Sequence, residues 1–228
     1  MGRVVARGTG VAIAKADRVR ITIDLGHARR EAARVHALLQ ALRRRHDLSR
    51  YEYTKVVRIV PGSDTYSSPI LTLGNRFADS EDLLLSTYLH EQMHWYLWHL
   101  DTPNHDPIAP FIDELVRRYP TAPTELPDGA RGYEATYVHL VVNWLEIAAT
   151  SEFIGRPRAF GLAEKQRSYR WIYRTVLKDW DALGELYERH SLVPIRTAQE
   201  LAAPRHAAPR RALNGGARRR IAAAGRLP

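Results

Sequence analysis

The chain has 228 residues, 45% of them hydrophobic, and no cysteine. This is enough apolar material for one large domain with its own core, and the lack of thiols excludes both a disulfide framework and a cysteine-ligated metal site. The net charge is +9, and seven of those charges come from arginines after Glu200 with no acid among them, which leaves +2 for the first 200 residues; basic character belongs to a tail, not to the domain.

Residues 1–7 open a region of short apolar pieces broken by Arg7, Lys15 and Asp17, which does not read as a secretory signal. No apolar run approaches the roughly 18 residues that cross a bilayer. A soluble cytoplasmic protein with no membrane partner is expected. Residues 19–25 alternate apolar and polar, a strand pattern. Residues 28–45 predict a helix with Val35, Leu38, Leu39 and Leu42 in one stripe. A second strand over 53–60 is stopped by Pro61-Gly62, and a short third one covers 68–73. Pro69 at its start suits an edge position.

Ser80 is an N-cap candidate, and Glu81 and Asp82 after it favour the positive end of a helix predicted over 81–99. Leu83, Leu84, Leu85, Leu89, Trp95 and Leu97 make this helix apolar nearly all round, so it is expected to be buried. Residues 101–132 are rich in Pro, Asp and Thr. One helical stretch over 110–119 interrupts loops long enough to wall a cleft. A strong helix follows over 133–153, ending near Gly155 and Pro157. A final long helix, rich in Tyr and Trp, is expected within 162–190. Residues 203–228 read as a disordered Arg-rich tail.

The helix over 81–99 carries His90-Glu91-Gln92-Met93-His94, of the form H-E-x-x-H. Residues four apart lie on one helical face, so His90 and His94 can grip one ion together. Glu91 beside them can take a proton from a metal-activated water. The alternative is that both imidazoles are hydrogen-bonded core residues. That reading leaves each to find a separate partner in an apolar helix, at about 1–3 kcal/mol for each failure.

This motif, in the order strand, helix, strand, edge strand and motif helix, resembles the zincin metallopeptidases over roughly residues 19–190. The resemblance implies an α+β, zincin-like fold: a small mixed sheet with an edge strand packed on the active-site helix, followed by a helical C-terminal subdomain. It implies a single domain over 1–202, with an α/β part over about 19–100 and a helical part over about 110–192. It further implies Zn²⁺ as cofactor, a peptide or protein substrate, and Ile70, Leu71 and Thr72 as the strand that receives substrate backbone. The chain departs from the metzincin pattern, since Leu97 and Leu100 stand where that pattern has a glycine and a third ligand. His99 and His105 are therefore set aside as surface or loop histidines.

The third ligand is sought on the 133–153 helix. His139 and Glu146 are seven apart, about two turns, and share a face within an apolar run. Three readings stand: His139 is the ligand and Glu146 orients a ligand histidine; Glu146 is the ligand, which resembles the gluzincins; or His139 is a satisfied core histidine and Glu146 an unrelated surface glutamate. Glu134 lies near the helix start, where an acid is favourable anyway. Tyr169 and Tyr173, four apart, are candidate donors to a tetrahedral oxyanion, with plain core packing as the alternative. His190 suits the negative terminus of its helix. The expected activity is zinc-dependent peptide hydrolysis with Glu91 as general base. The alternatives are a catalytically inactive metal-binding module and a nucleic-acid-associated protein making weak phosphate contacts through the tail.

Overall fold

The computed structural model describes residues 19–23, 29–77, 79–101 and 107–202. The expectations for Asp24, Leu25, Ala28, His105 and the tail over 203–228, with its nucleic-acid role, lie outside the described residues. The elements run β1 (Arg20–Ile23), α1 (Arg29–Arg45), a 3₁₀ turn (Leu48–Tyr51), β2 (Val56–Ile59), β3 (Leu71–Leu73), α2 (Glu81–Leu100), α3 (Ile108–Arg118), α4 (Tyr133–Ile154), α5 (Arg156–Glu164), α6 (Arg170–Lys178), α7 (Trp180–Arg189) and α8 (Ala198–Ala202). The fold is mixed α+β and mostly helical, and no described helix is long and apolar enough to cross a membrane.

The three strands form one sheet in the order β1-β2-β3. A mixed sheet is expected from the sequence, but both strand pairs are parallel, with Ile21 opposite Val57 and Ile59 opposite Leu73. The physical reason is the connection: α1 returns the chain from the end of β1 to the start of β2, as a parallel pair requires. β3 lies at the sheet edge, as Pro69 suggests. Its outward backbone groups at Thr72 are engaged by an antiparallel bridge, with Thr72 N–H donating to Tyr66 O at 2.8 Å and Tyr66 N–H to Thr72 O at 3.0 Å. The chain thus covers its own edge at this point.

α2 begins where the capping signal places it. Ser80 Oγ accepts from the Leu83 N–H at 3.2 Å, and Glu81 and Asp82 occupy the first turn. Thirteen of its twenty residues are buried, on all sides of the helix, so it runs through the core. It packs antiparallel along α4, with Ser86 and His90 meeting Glu146, and His94 meeting His139. α4 ends at Gly155, whose φ of 82° suits glycine alone, and Pro157 then sits in the first turn of α5.

The single long helix expected within 162–190 is instead the end of α5, then α6 and α7. The chain lies outside any helix over 165–169, with Tyr169 left-handed (φ 57°), and leaves helical geometry again at Asp179 (φ −103°, ψ 24°). Ile172, Tyr173, Val176, Leu183, Leu186 and Tyr187 are buried on both sides of the second break, so apolar spacing continues where the backbone does not. One hydrophobic core joins sheet and helices, with members from Val19 to Leu192.

Candidate metal centre

α2 and α4 face each other deep in this core and bring His90, His94 and His139 together. One nitrogen from each ring can be chosen so that all three lie within 4.8 Å of one another, a group that could hold a metal ion. The ring centroids are 5.1 Å apart for His90–His94, 5.5 Å for His90–His139 and 5.1 Å for His94–His139. The cluster is nearly closed to solvent: His90 is 6% exposed, His94 5% and His139 0%.

The hydrogen bonds assign the ring nitrogens. His139 Nδ1 lies 2.8 Å from the carbonyl oxygen of Ala135, which can only accept, so Nδ1 carries the proton. Its Nε2 is then a lone pair, and it is buried without a partner. His90 Nδ1 lies 3.0 Å from Glu146 Oε2, so Nε2 is the ring nitrogen that this carboxylate does not hold. Nδ1 of His94 is also buried and unpartnered. Buried polar atoms are nearly always satisfied, so unpartnered nitrogens in one cluster point to a missing ligand. Three imidazoles without a thiolate suit zinc and the other borderline divalent ions.

The electrostatics keep His94 and His139 neutral and act the other way on His90. Burial holds His94 well below the usual imidazole range, helped by His139 and His90. Burial, helped by His90, lowers His139 to about 3. At His90 burial acts in the same direction, but the bond to Glu146 and its charge outweigh it, and the pKa rises. Glu146 itself accepts from three donors: the Ser86 hydroxyl, His90, and the Tyr173 hydroxyl at 2.8 Å. Its carboxylate stands behind His90 rather than in the cluster. The geometry therefore separates the two residues that sequence spacing leaves equivalent.

Glu91 is 4% exposed, and burial pushes its pKa up to about 7, with His90 opposing and Glu146 adding to the rise. Tyr169 covers the cluster, its ring 4.4 Å from that of His139 and nearly parallel to that of His90 at 6.4 Å. Burial, then the Glu91 charge, raises its hydroxyl pKa. Tyr173 is committed to Glu146, so of the two candidate oxyanion donors Tyr169 is the one left without a hydrogen bond to a described residue. Leu71 and Thr72 are fully buried and Ile70 is half-buried, and the Thr72 backbone expected to receive substrate already holds Tyr66. The remaining sequence candidates sit elsewhere. His99 Nε2 approaches Tyr53 O at 3.3 Å, Glu134 lines a shallow groove beside α3, and His190 pairs with Glu114 at 3.0 Å.

Sequence reasoning missed Ser86, although its place one turn before His90 was a usable signal. It also missed Asn143, buried on the α4 stripe between His139 and Glu146 with both amide atoms unpartnered. Searches against protein-family models, curated proteins and solved structures find no match to this chain.

Proposed function

We propose that this protein is a zinc-dependent peptide hydrolase, with His90, His94 and His139 holding the ion and Glu91 as general base. The observation that carries this reading is the pair of buried, unpartnered imidazole nitrogens, His94 Nδ1 and His139 Nε2, in one cluster with His90 and beside a buried carboxylate. When bound, a divalent ion supplies Lewis acidity toward a water and a carbonyl oxygen. Glu91, a buried carboxylate adjacent in sequence to His90, would accept a proton from that water and return it to the leaving amine. Water adds across the peptide bond: a C–O bond forms, the C–N bond breaks, and the amine leaves with the proton. Glu146 fixes the ring of His90, and the burial of the cluster excludes bulk water.

Glu91→Gln is the decisive variant. Metal analysis should return one zinc per chain for both wild type and variant, while peptide hydrolysis by the variant falls by about 100-fold or more. A Glu91→Gln protein with full activity would end the mechanism. A wild-type protein that loads zinc yet cleaves no peptide would leave a metal-holding domain as the reading.

A further inference from the structure

Three non-glycine residues among those described hold a left-handed backbone: Arg131 (φ 55°), Tyr169 (57°) and Ser191 (56°). Ser191 has an ordinary reason. It follows α7, with its N–H bonded to Glu188 O at 3.0 Å and the Leu192 N–H bonded to Tyr187 O at 2.9 Å, a common helix ending. The other two have no such reason. Tyr169 stands at a helix cap, where an extended backbone is usual, and its side chain caps nothing. Arg131 is exposed on the loop before α4. Strained non-glycine residues persist where the surrounding structure holds them, and they concentrate at functional sites.

The two strained positions are locked together. Arg170 N–H, next to Tyr169, donates to Pro127 O at 2.9 Å. Asp128 then takes two bonds from Arg170 and one from Arg174, each of 3.2 Å. The Arg131 loop is pinned further by Ala130 N–H to Thr136 Oγ1 at 3.0 Å and Gly132 N–H to Thr124 O at 2.8 Å. Arg131 lies close enough for its charge to act on the Tyr169 hydroxyl, over the histidine cluster. Two acids nearby are engaged, Asp128 with Arg170 and Arg174, and Asp64 with Arg76 at 2.5 Å, while Glu91, which also acts on the Tyr169 hydroxyl, is buried. Arg131 makes no ion pair among the described residues, so a guanidinium on a loop whose backbone is fixed beside Tyr169 stands with no carboxylate of its own.

Two further observations limit what can approach. The histidine cluster is nearly closed, and the Thr72 backbone at the neighbouring sheet edge is already paired with Tyr66. A long extended chain therefore lacks its usual strand to lie along, whereas a chain end needs only a short entry. A guanidinium matches a carboxylate in a two-pronged geometry.

Building on the peptidase reading above, we propose that Arg131 anchors the free C-terminal carboxylate of the substrate, so that the enzyme removes residues from peptide C-termini. The reaction is the same hydrolysis at the last peptide bond, releasing one amino acid and a shortened peptide, with no redox change.

Calorimetry on the zinc-loaded full chain with N-acetylphenylalanine and its amide tests this without requiring turnover. The acid should bind at least about tenfold more tightly than the amide. Arg131→Gly, which suits the positive φ and so should keep or raise Tm, should bring the acid down to the level of the amide. Arg131→Lys, with charge but no fork, should fall between. Three results would overturn the proposal: acid and amide bound alike by wild type, neither bound, or an acid preference that survives in Arg131→Gly and so belongs to the metal. Failure of the peptidase reading looks different, because an Arg131-dependent acid preference can coexist with a chain that hydrolyses nothing.

Discussion

Two faces of α2 carry buried polar groups, and they are built in opposite ways. On one face, Glu52 is 1% exposed and receives Arg43 Nε at 2.6 Å and the Tyr88 hydroxyl at 3.1 Å. Gln92 donates to that hydroxyl at 3.1 Å and accepts from the Thr54 N–H at 3.0 Å. None of these side chains leaves a buried polar atom unpartnered. On the other face, His90 and His94 meet His139, and His94 Nδ1 and His139 Nε2 have no partner. Burial is alike on the two sides, so burial does not distinguish a structural polar cluster from a binding site. Closure does: one network is complete within the chain, and the other leaves two imidazole nitrogens without a partner in a group that could hold a metal ion.

The largest expected effects break the contrast by removing one member from each side. His139→Ala should abolish stoichiometric zinc, since a site reduced to two imidazoles loses about 1000-fold or more in affinity, while the metal-free protein loses little. Metal analysis beside chemical denaturation of the metal-free form checks both parts. Glu52→Ala should do the reverse. It leaves Arg43 and Tyr88 without their buried acceptor and destabilises the fold by about 3–5 kcal/mol. The folded fraction should still bind zinc at wild-type stoichiometry. If Glu52→Ala also lost the metal, the two faces would be one coupled network.

The sequence exposes part of this contrast. The H-E-x-x-H spacing places two imidazoles on one face, and Ser80 with Glu81 and Asp82 marks where α2 begins. The choice between His139 and Glu146 was not legible. Residues seven apart share a helical face, and only the packing against α2 shows that Glu146 meets His90 Nδ1 while the His139 ring meets the rings of His90 and His94. The break at Tyr169 was equally hidden, because hydrophobic spacing does not encode a left-handed backbone in tyrosine. An isolated bridge such as Tyr66–Thr72 has no periodicity at all, so the covering of the β3 edge could not be read from composition.

A smaller effect sharpens the comparison through pH. Glu91 has a folded pKa of about 7 against 4.5 for the unperturbed side chain. The metal-free folded protein therefore keeps a proton that the unfolded chain releases between pH 4.5 and 7. The resulting penalty is small below pH 4.5, grows through that window and is complete above pH 7. Glu91→Gln removes it. In metal-free protein the stability advantage of the variant at pH 8 should exceed that at pH 4 by on the order of 3 kcal/mol. Denaturant titrations at the two pH values measure the difference, and equal advantages would show that the buried carboxyl is already matched inside the protein, like Glu52.

The smallest effect tests the residue that joins the two kinds of network. Glu146 is satisfied by Ser86, His90 and Tyr173, as Glu52 is by Arg43 and Tyr88, yet one of its donors is a member of the open cluster. Glu146→Gln keeps the shape but lowers the pull on the His90 Nδ1 proton, so Nε2 becomes a weaker donor to metal. Zinc affinity measured by competition with a chelator should fall about 10–100-fold without loss of the site. Glu52→Gln, an equal change of charge on the closed face, should leave that affinity unchanged. An undiminished affinity in Glu146→Gln would place Glu146 with the structural acids and leave His90 oriented by packing alone.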